Sequence, residues 1–252
     1  MRFSRPPLNP LPLVRQSWAT LRARLWTPSP AAALSSREWS SWLKAVDGKR
    51  RRLARRRPKI VEPHDHSLHL RLTAISFQLD GLPVPAPELS HALQHPVGPR
   101  AFRSRLCQRM RNHVAILSMI DRWLIRGFPL RVASVVRWYT SVNWGLATTS
   151  LMHATMDRLE AVVCRVNAPH AGMRSAVQEI AEIHCQLISD PLVPSFNGIL
   201  SRLLLHYHLG RCGLPPIVFD PDADATVATS ESQFLPRLLR LVDEAYSAVL
   251  AQ

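Results

Sequence analysis

The chain has 252 residues, 46% of them hydrophobic, with 32 Lys and Arg against 18 Asp and Glu for a formal net charge of +14. That length and apolar content support one folded domain with an extension, and the excess positive charge points to an acidic partner such as nucleic acid, an anionic surface or an acidic protein. No apolar run reaches the roughly 18 residues of a spanning helix and no apolar core of a secretory signal opens the chain. The four cysteines are widely spaced without a CxxC, which excludes a disulfide-dense framework and fits a reducing compartment.

Residues 1–33 are rich in Pro, Ser, Ala and Arg and predict a tail, with Val14, Trp18, Leu21 and Leu25 as one short apolar stripe expected to dock on the protein's own body in preference to a membrane surface. The arginines before Glu38 also match an organellar transit peptide, so a cytoplasmic location is expected with that alternative open. From Ser35 or Ser36 a helix follows, with Trp39, Trp42, Leu43 and Val46 on one face. The run KRRRLARRRPK, residues 49–59, reads as a solvated charge block. Its functional alternative is phosphate contact through Arg50, Arg51, Arg52, Arg55, Arg56 and Arg57. The domain boundary is placed at residue 60, giving a basic extension over 1–60 and a helical body over 61–252.

His64, His66 and His69 lack a cysteine or carboxylate set at a ligand spacing, and His206 and His208 point apart on a helix, so no metal site is assigned. Cys164, Cys185 and Cys212 lie among apolar neighbours and read as small buried hydrophobes. Helices are predicted from 69, from near Pro87 with Glu88, Leu89, Ala92 and Leu93, and over 102–125, with the loop HPVGPR before the last of these. Over 132–142 the spacing predicts a helix while the valines leave a strand pair open. Helices over 149–166, 176–188 and 233–250 complete a mostly α bundle in which a small β-hairpin is the one β element allowed. The acidic connector 220–232 offers Asp220, Asp222 and Asp224 to a metal-nucleotide or, more simply, to solvent.

The most informative stretch is His184 to Phe219. Pro191, Pro194, Ser195, Asn197 and Gly198 force a turn, and Leu200, Leu203, Leu204 and Tyr207 then fall at i, i+3, i+4 and i+7 of a helix buried nearly all round. Free amides at such a helix start favour an anion, and Arg202 adds charge one turn later. The simpler alternative is a plain turn, with Arg202 paired to Glu179 or Glu182.

This order of elements resembles the Fic (Fido) family, which transfers AMP from ATP to protein hydroxyls and carries HPFxxGNGRxxR between two helices. The Asn197-Gly198 pair matches, and Arg202 falls on the final arginine. The catalytic histidine falls on Pro191, or on Asp190 if the loop has one extra residue. Phe196 replaces the first glycine, Ile199 the first arginine and Ser195 the acidic metal-binding residue. His184, on the preceding helix, is not the catalytic histidine, and Tyr139 in FPLRVASVVRWY stands where a histidine is common. SFQLDG, with Ser76, Asp80 and Gly81, resembles the family's inhibitory Ser/Thr-x-x-x-Glu-Gly/Asn segment. Its expected target is the arginine that here is Ile199, so both halves of that brake are expected to be altered. The resemblance spans roughly residues 69–245. It implies a Fic-type nucleotidyltransferase ancestry with the catalytic histidine absent, Asp190 as the one substitute base, and ATP with Mg²⁺ held by Ser195, Asn197, Gly198 and Arg202. A protein that is impaired or inactive in transfer but keeps a phosphate-binding loop is the function this implies; a basic nucleic-acid or protein-interaction module using residues 49–59 is the alternative.

Overall fold

A computed structural model describes residues 34–56, 66–82, 89, 101–143, 149–193, 195–224 and 231–251. The stripe from Val14 to Leu25, Arg57, His64, Pro194, HPVGPR and, apart from Leu89, the helix expected near Pro87 lie outside those residues.

The helices are α1 (Ser36–Arg56), α2 (His66–Leu79), α3 (Ala101–Ile125), α4 (Val132–Val142), α5 (Thr149–Asn167), α6 (Met173–Ser189), α7 (Asn197–Arg211), the single turn α8 (Pro221–Asp224) and α9 (Glu231–Ala251). Among the described residues there is no strand. The strand pair left open over 132–142 is the helix α4, because Val135, Trp138, Tyr139 and Val142 share one face and bury it. Packing of that face overrides the weak helix propensity of valine.

Helix α7 is buried from Ile199 to Leu209 save for the partly buried Arg202. A helix apolar on every side must be covered on every side. Its Ile199, Leu200, Leu203, Leu204 and Tyr207 enter one hydrophobic cluster with Phe77 of α2, Leu117 and Ile120 of α3 and Trp138 of α4. Its Leu205 and Leu209 enter a second cluster with Trp39 and Val46 of α1, Ile180 of α6 and Leu238 and Val242 of α9. Thus α7 is the wall between two cores.

The compact unit holding these helices begins at Leu34, so part of the extension expected over 1–60 contributes to the body. Ser35 caps α1: its Oγ accepts from the Glu38 N–H at 3.2 Å while Glu38 Oε2 accepts from the Ser35 N–H at 2.7 Å. Trp42 donates Nε1–H to Leu239 O at 3.0 Å, and Lys49 Nζ lies 2.5 Å from Asp243 Oδ1, fixing α1 along α9. No helix among the described residues is long and apolar enough to cross a membrane.

Candidate anion site at the start of the buried helix

The turn into α7 is tied down by Asn197, whose side chain donates Nδ2–H to Leu187 O at 2.5 Å and accepts at Oδ1 from the Leu192 N–H at 3.0 Å. Those two bonds close the α6–α7 loop. The side chain expected to touch a cofactor is therefore spent on the turn. Phe196 precedes the helix at φ 56°, ψ 24°, the left-handed region in which glycine is the ordinary residue and a side chain costs about 1–2 kcal/mol. The Arg109 guanidinium lies 4.8 Å from its ring centroid, a cation–π contact that offsets part of that cost. Ser195 is half-buried just before Phe196.

Across the start of α7 stands the end of α2. Gly81, at φ +78°, stops α2, with the Leu82 N–H returning to Phe77 O at 2.9 Å. That stop leaves Asp80 at a helix C-terminus, where the backbone dipole disfavours a negative charge. The opposite dipole of α7 receives it instead. Asp80 Oδ2 accepts from the Ile199 N–H at 3.3 Å, and Asp80 Oδ1 accepts from Arg202 Nη2. Arg202 also donates Nε–H to Ser76 Oγ at 2.7 Å and Nη2–H to Ser76 O at 2.6 Å. A Cβ at position 198 would sit 2.3 Å from Asp80 Oδ1, so Gly198 is what lets the carboxylate approach. Burial pulls the Arg202 pKa down from its ordinary value and the Asp80 carboxylate opposes that shift.

Ser76, Asp80, Gly81, Gly198 and Arg202, chosen from two distant stretches of sequence, therefore converge. The SFQLDG segment does reach position 199, through the main chain rather than a side chain. Asp80 uses the backbone amide of Ile199, which any side chain supplies, and pairs with Arg202. Glu179 and Glu182 do not bind Arg202; they take Arg165 at 2.5 and 3.0 Å.

Asp190 follows α6 with its carboxylate 2.5 Å from Arg158 Nη2, and Arg158 also donates to Asp190 O at 2.9 Å. A side chain held in an exposed ion pair is poorly placed as a base. The acidic connector likewise supplies no free carboxylate at Asp224, which is buried and grips Arg237 with both oxygens at 2.6 and 3.1 Å.

Behind Arg202 lies a polar network that sequence reasoning missed. His69 Nε2 is 2.7 Å from Asp121 Oδ2 and His206 Nε2 is 3.0 Å from Asp121 Oδ1, so both imidazoles donate to one buried carboxylate. Asp121 falls on the apolar stripe of α3 between Leu117 and Leu124, and a charge on such a stripe is the signal for a buried polar partner. His113 lies 2.8 Å from Thr73 Oγ1, and burial lowers its pKa to about 3 with Arg202 adding to the shift. His184 lies 2.8 Å from Ser201 Oγ against Phe219 and Phe234, and burial first and Arg202 second lower its pKa to about 3. It is a neutral core residue. Ser76, His113, Arg202 and His206 border a cavity of about 30 Å³, water-sized rather than nucleotide-sized.

Among solved structures, the chain is similar to a Fic domain-containing signaling protein from Bacteroides thetaiotaomicron. The TM-score is 0.55 at 14% identity, over 82% of this chain and 94% of that one. The fold is Fic-like. No family model matches the sequence, and no curated protein does. Within this Fic-like fold, the Ile199 amide and the Arg202 guanidinium form a donor pair that fits an anion, since a carboxylate already sits on both, while Ser76 Oγ accepts from Arg202 Nε–H and orients the guanidinium. The same turn does not fit a magnesium ion: the carboxylate there, Asp80, is engaged, and Ser195 stands at the position for which the family resemblance implies an acid.

Proposed function

We propose that this protein is a Fic-like domain impaired in adenylyl transfer, which keeps a phosphate- or nucleotide-binding turn at the start of α7 and holds it closed with Asp80. The observation that carries this reading is the Asp80 carboxylate lying on both the Ile199 amide and the Arg202 guanidinium, where a phosphate oxygen would be received. The loss of transfer is argued from Pro191 and Asp190 at the histidine position, neither of which is a free, positioned base.

Calorimetric titration of the full chain with ATP and Mg²⁺ tests it. Wild type should bind weakly, Asp80→Asn at least about tenfold more tightly, a gain of about 1.4 kcal/mol, and Asp80→Asn with Arg202→Ala not at all. Failure of a folded Asp80→Asn protein to bind, or transfer of labelled AMP by the wild-type chain, would overturn the reading.

A second reading rests on Arg50, Arg51, Arg52 and Arg55, which are exposed on the last turns of α1. Cations there also suit the helix dipole, so their helical stability needs no ligand. If they bind nucleic acid, affinity should fall with salt. Arg51→Gln with Arg55→Gln should then flatten that dependence by about 0.9 in log–log slope for each phosphate no longer neutralised.

A further inference from the structure

The opposite end of α7 holds a cluster that the Fic-like reading leaves unused. His208 is buried in the last turns of α7, Cys212 follows at i+4 on the same face, and His170 comes from the link between α5 and α6. The two Nε2 atoms are 3.3 Å apart, and the ligand atoms of the three side chains all lie within 4.8 Å of one another. We propose that His170, His208 and Cys212 form a site for a divalent metal ion of the zinc type.

The geometry is close to what such an ion requires. Zinc–nitrogen bonds of about 2.0–2.1 Å at tetrahedral angles set two imidazole nitrogens about 3.3–3.4 Å apart. The observed nitrogen pair needs almost no change, and the Cys212 sulfur, within 4.8 Å of the nitrogens, must close to about 3.6 Å through its χ1 rotation. Two imidazoles and one thiolate are a donor set for borderline-soft ions such as zinc rather than magnesium or calcium.

Charge nearby also permits it. The carbonyl end of α7 points toward the cluster, and a helix C-terminus favours a cation. Of the two neighbouring arginines, Arg165 is engaged with Glu179 and Glu182, and Arg211 donates Nη2–H to Asn167 O at 2.9 Å. The opposing cost is at sulfur, where burial pushes the Cys212 thiol up to about 11, and coordination must displace that proton. His170 and Cys212 border a cleft of about 410 Å³ with Gly127, Phe128 and Tyr207, which gives an ion a way in and leaves a fourth coordination position for water or a small ligand.

Cobalt(II) is the probe, added to the full chain after removal of metal by a chelator. One ion per chain should give the intense visible bands of a four-coordinate site with a thiolate-to-cobalt charge-transfer band, and zinc should bleach both. His170→Ala should weaken binding at least about tenfold, and Cys212→Ser should remove the charge-transfer band, with circular dichroism reporting that each variant is folded. A wild-type chain that shows no charge-transfer band, or only the weak spectrum of octahedral cobalt, overturns the proposal whatever the variants do. So does a spectrum unchanged in the His170→Ala/Cys212→Ser chain. This readout involves no nucleotide, so its failure is distinct from failure of the anion site.

Discussion

The two ends of α7 differ in what they gather. At its start it offers an amide and a guanidinium and meets a hydroxyl and a carboxylate from the end of α2; at its finish an imidazole and a thiol meet a second imidazole from the α5–α6 link. One backbone dipole accounts for the opposite chemistry, because its positive end favours anions and its negative end cations. The two proposals thus put sites of opposite preference on a single buried helix about 20 Å apart, at about 1.5 Å per residue.

The largest effect that would break this comparison is at the anion end. Arg202→Ala leaves Asp80 with little exposure and no guanidinium, and should cost about 3–5 kcal/mol in urea unfolding. Adding Asp80→Ala should recover part of it, and a single-variant loss below about 1 kcal/mol would show that the pair does not hold the turn. Acid acts next. His113 and His184 have folded pKa values of about 3 against an ordinary value of 6.5, so only the unfolded chain takes up their protons between those limits. Their stabilising contribution is complete above about pH 6.5 and is lost as pH falls toward 3, at about 1.4 kcal/mol per pH unit for each group. The slope of unfolding free energy across that range should flatten by about one proton in His184→Gln.

A smaller effect is expected at Gly198. A methyl there must displace the Asp80 carboxylate, so Gly198→Ala should destabilise by about 1–3 kcal/mol, and the loss should shrink when Asp80 is already alanine. Additive losses in thermal or urea unfolding would place the strain elsewhere. Smallest of all, Asp190→Asn breaks an exposed pair with Arg158 and should change stability by less than about 1 kcal/mol. A larger loss would mean that this loop end matters more to the turn than Asn197 does.

Much of this is legible from the residues. Continuous apolar character marks α7 as buried, and Asn197-Gly198 marks the turn at its start. What is hidden has particular causes. The valines of α4 suit a strand as well as a helix until the neighbours are known. The partner of Asp80 is 122 residues away, and half of its contact falls on a main-chain amide that no motif records. At the other end, His208 and Cys212 have ligand spacing, but the third donor comes from a link 38 residues earlier, and attention to His206 with His208 misses the productive pair. Trp39 and Val46 share a helix face in the sequence, yet their covering by α9 requires the far end of the chain.

The position of α7 between two clusters bears on how the protein comes apart. Neither core closes without the same helix, so loss of either exposes one flank of it, and the two halves are coupled in unfolding. Its central amides, from Leu203 to Tyr207, should be the slowest in the chain to exchange with deuterium.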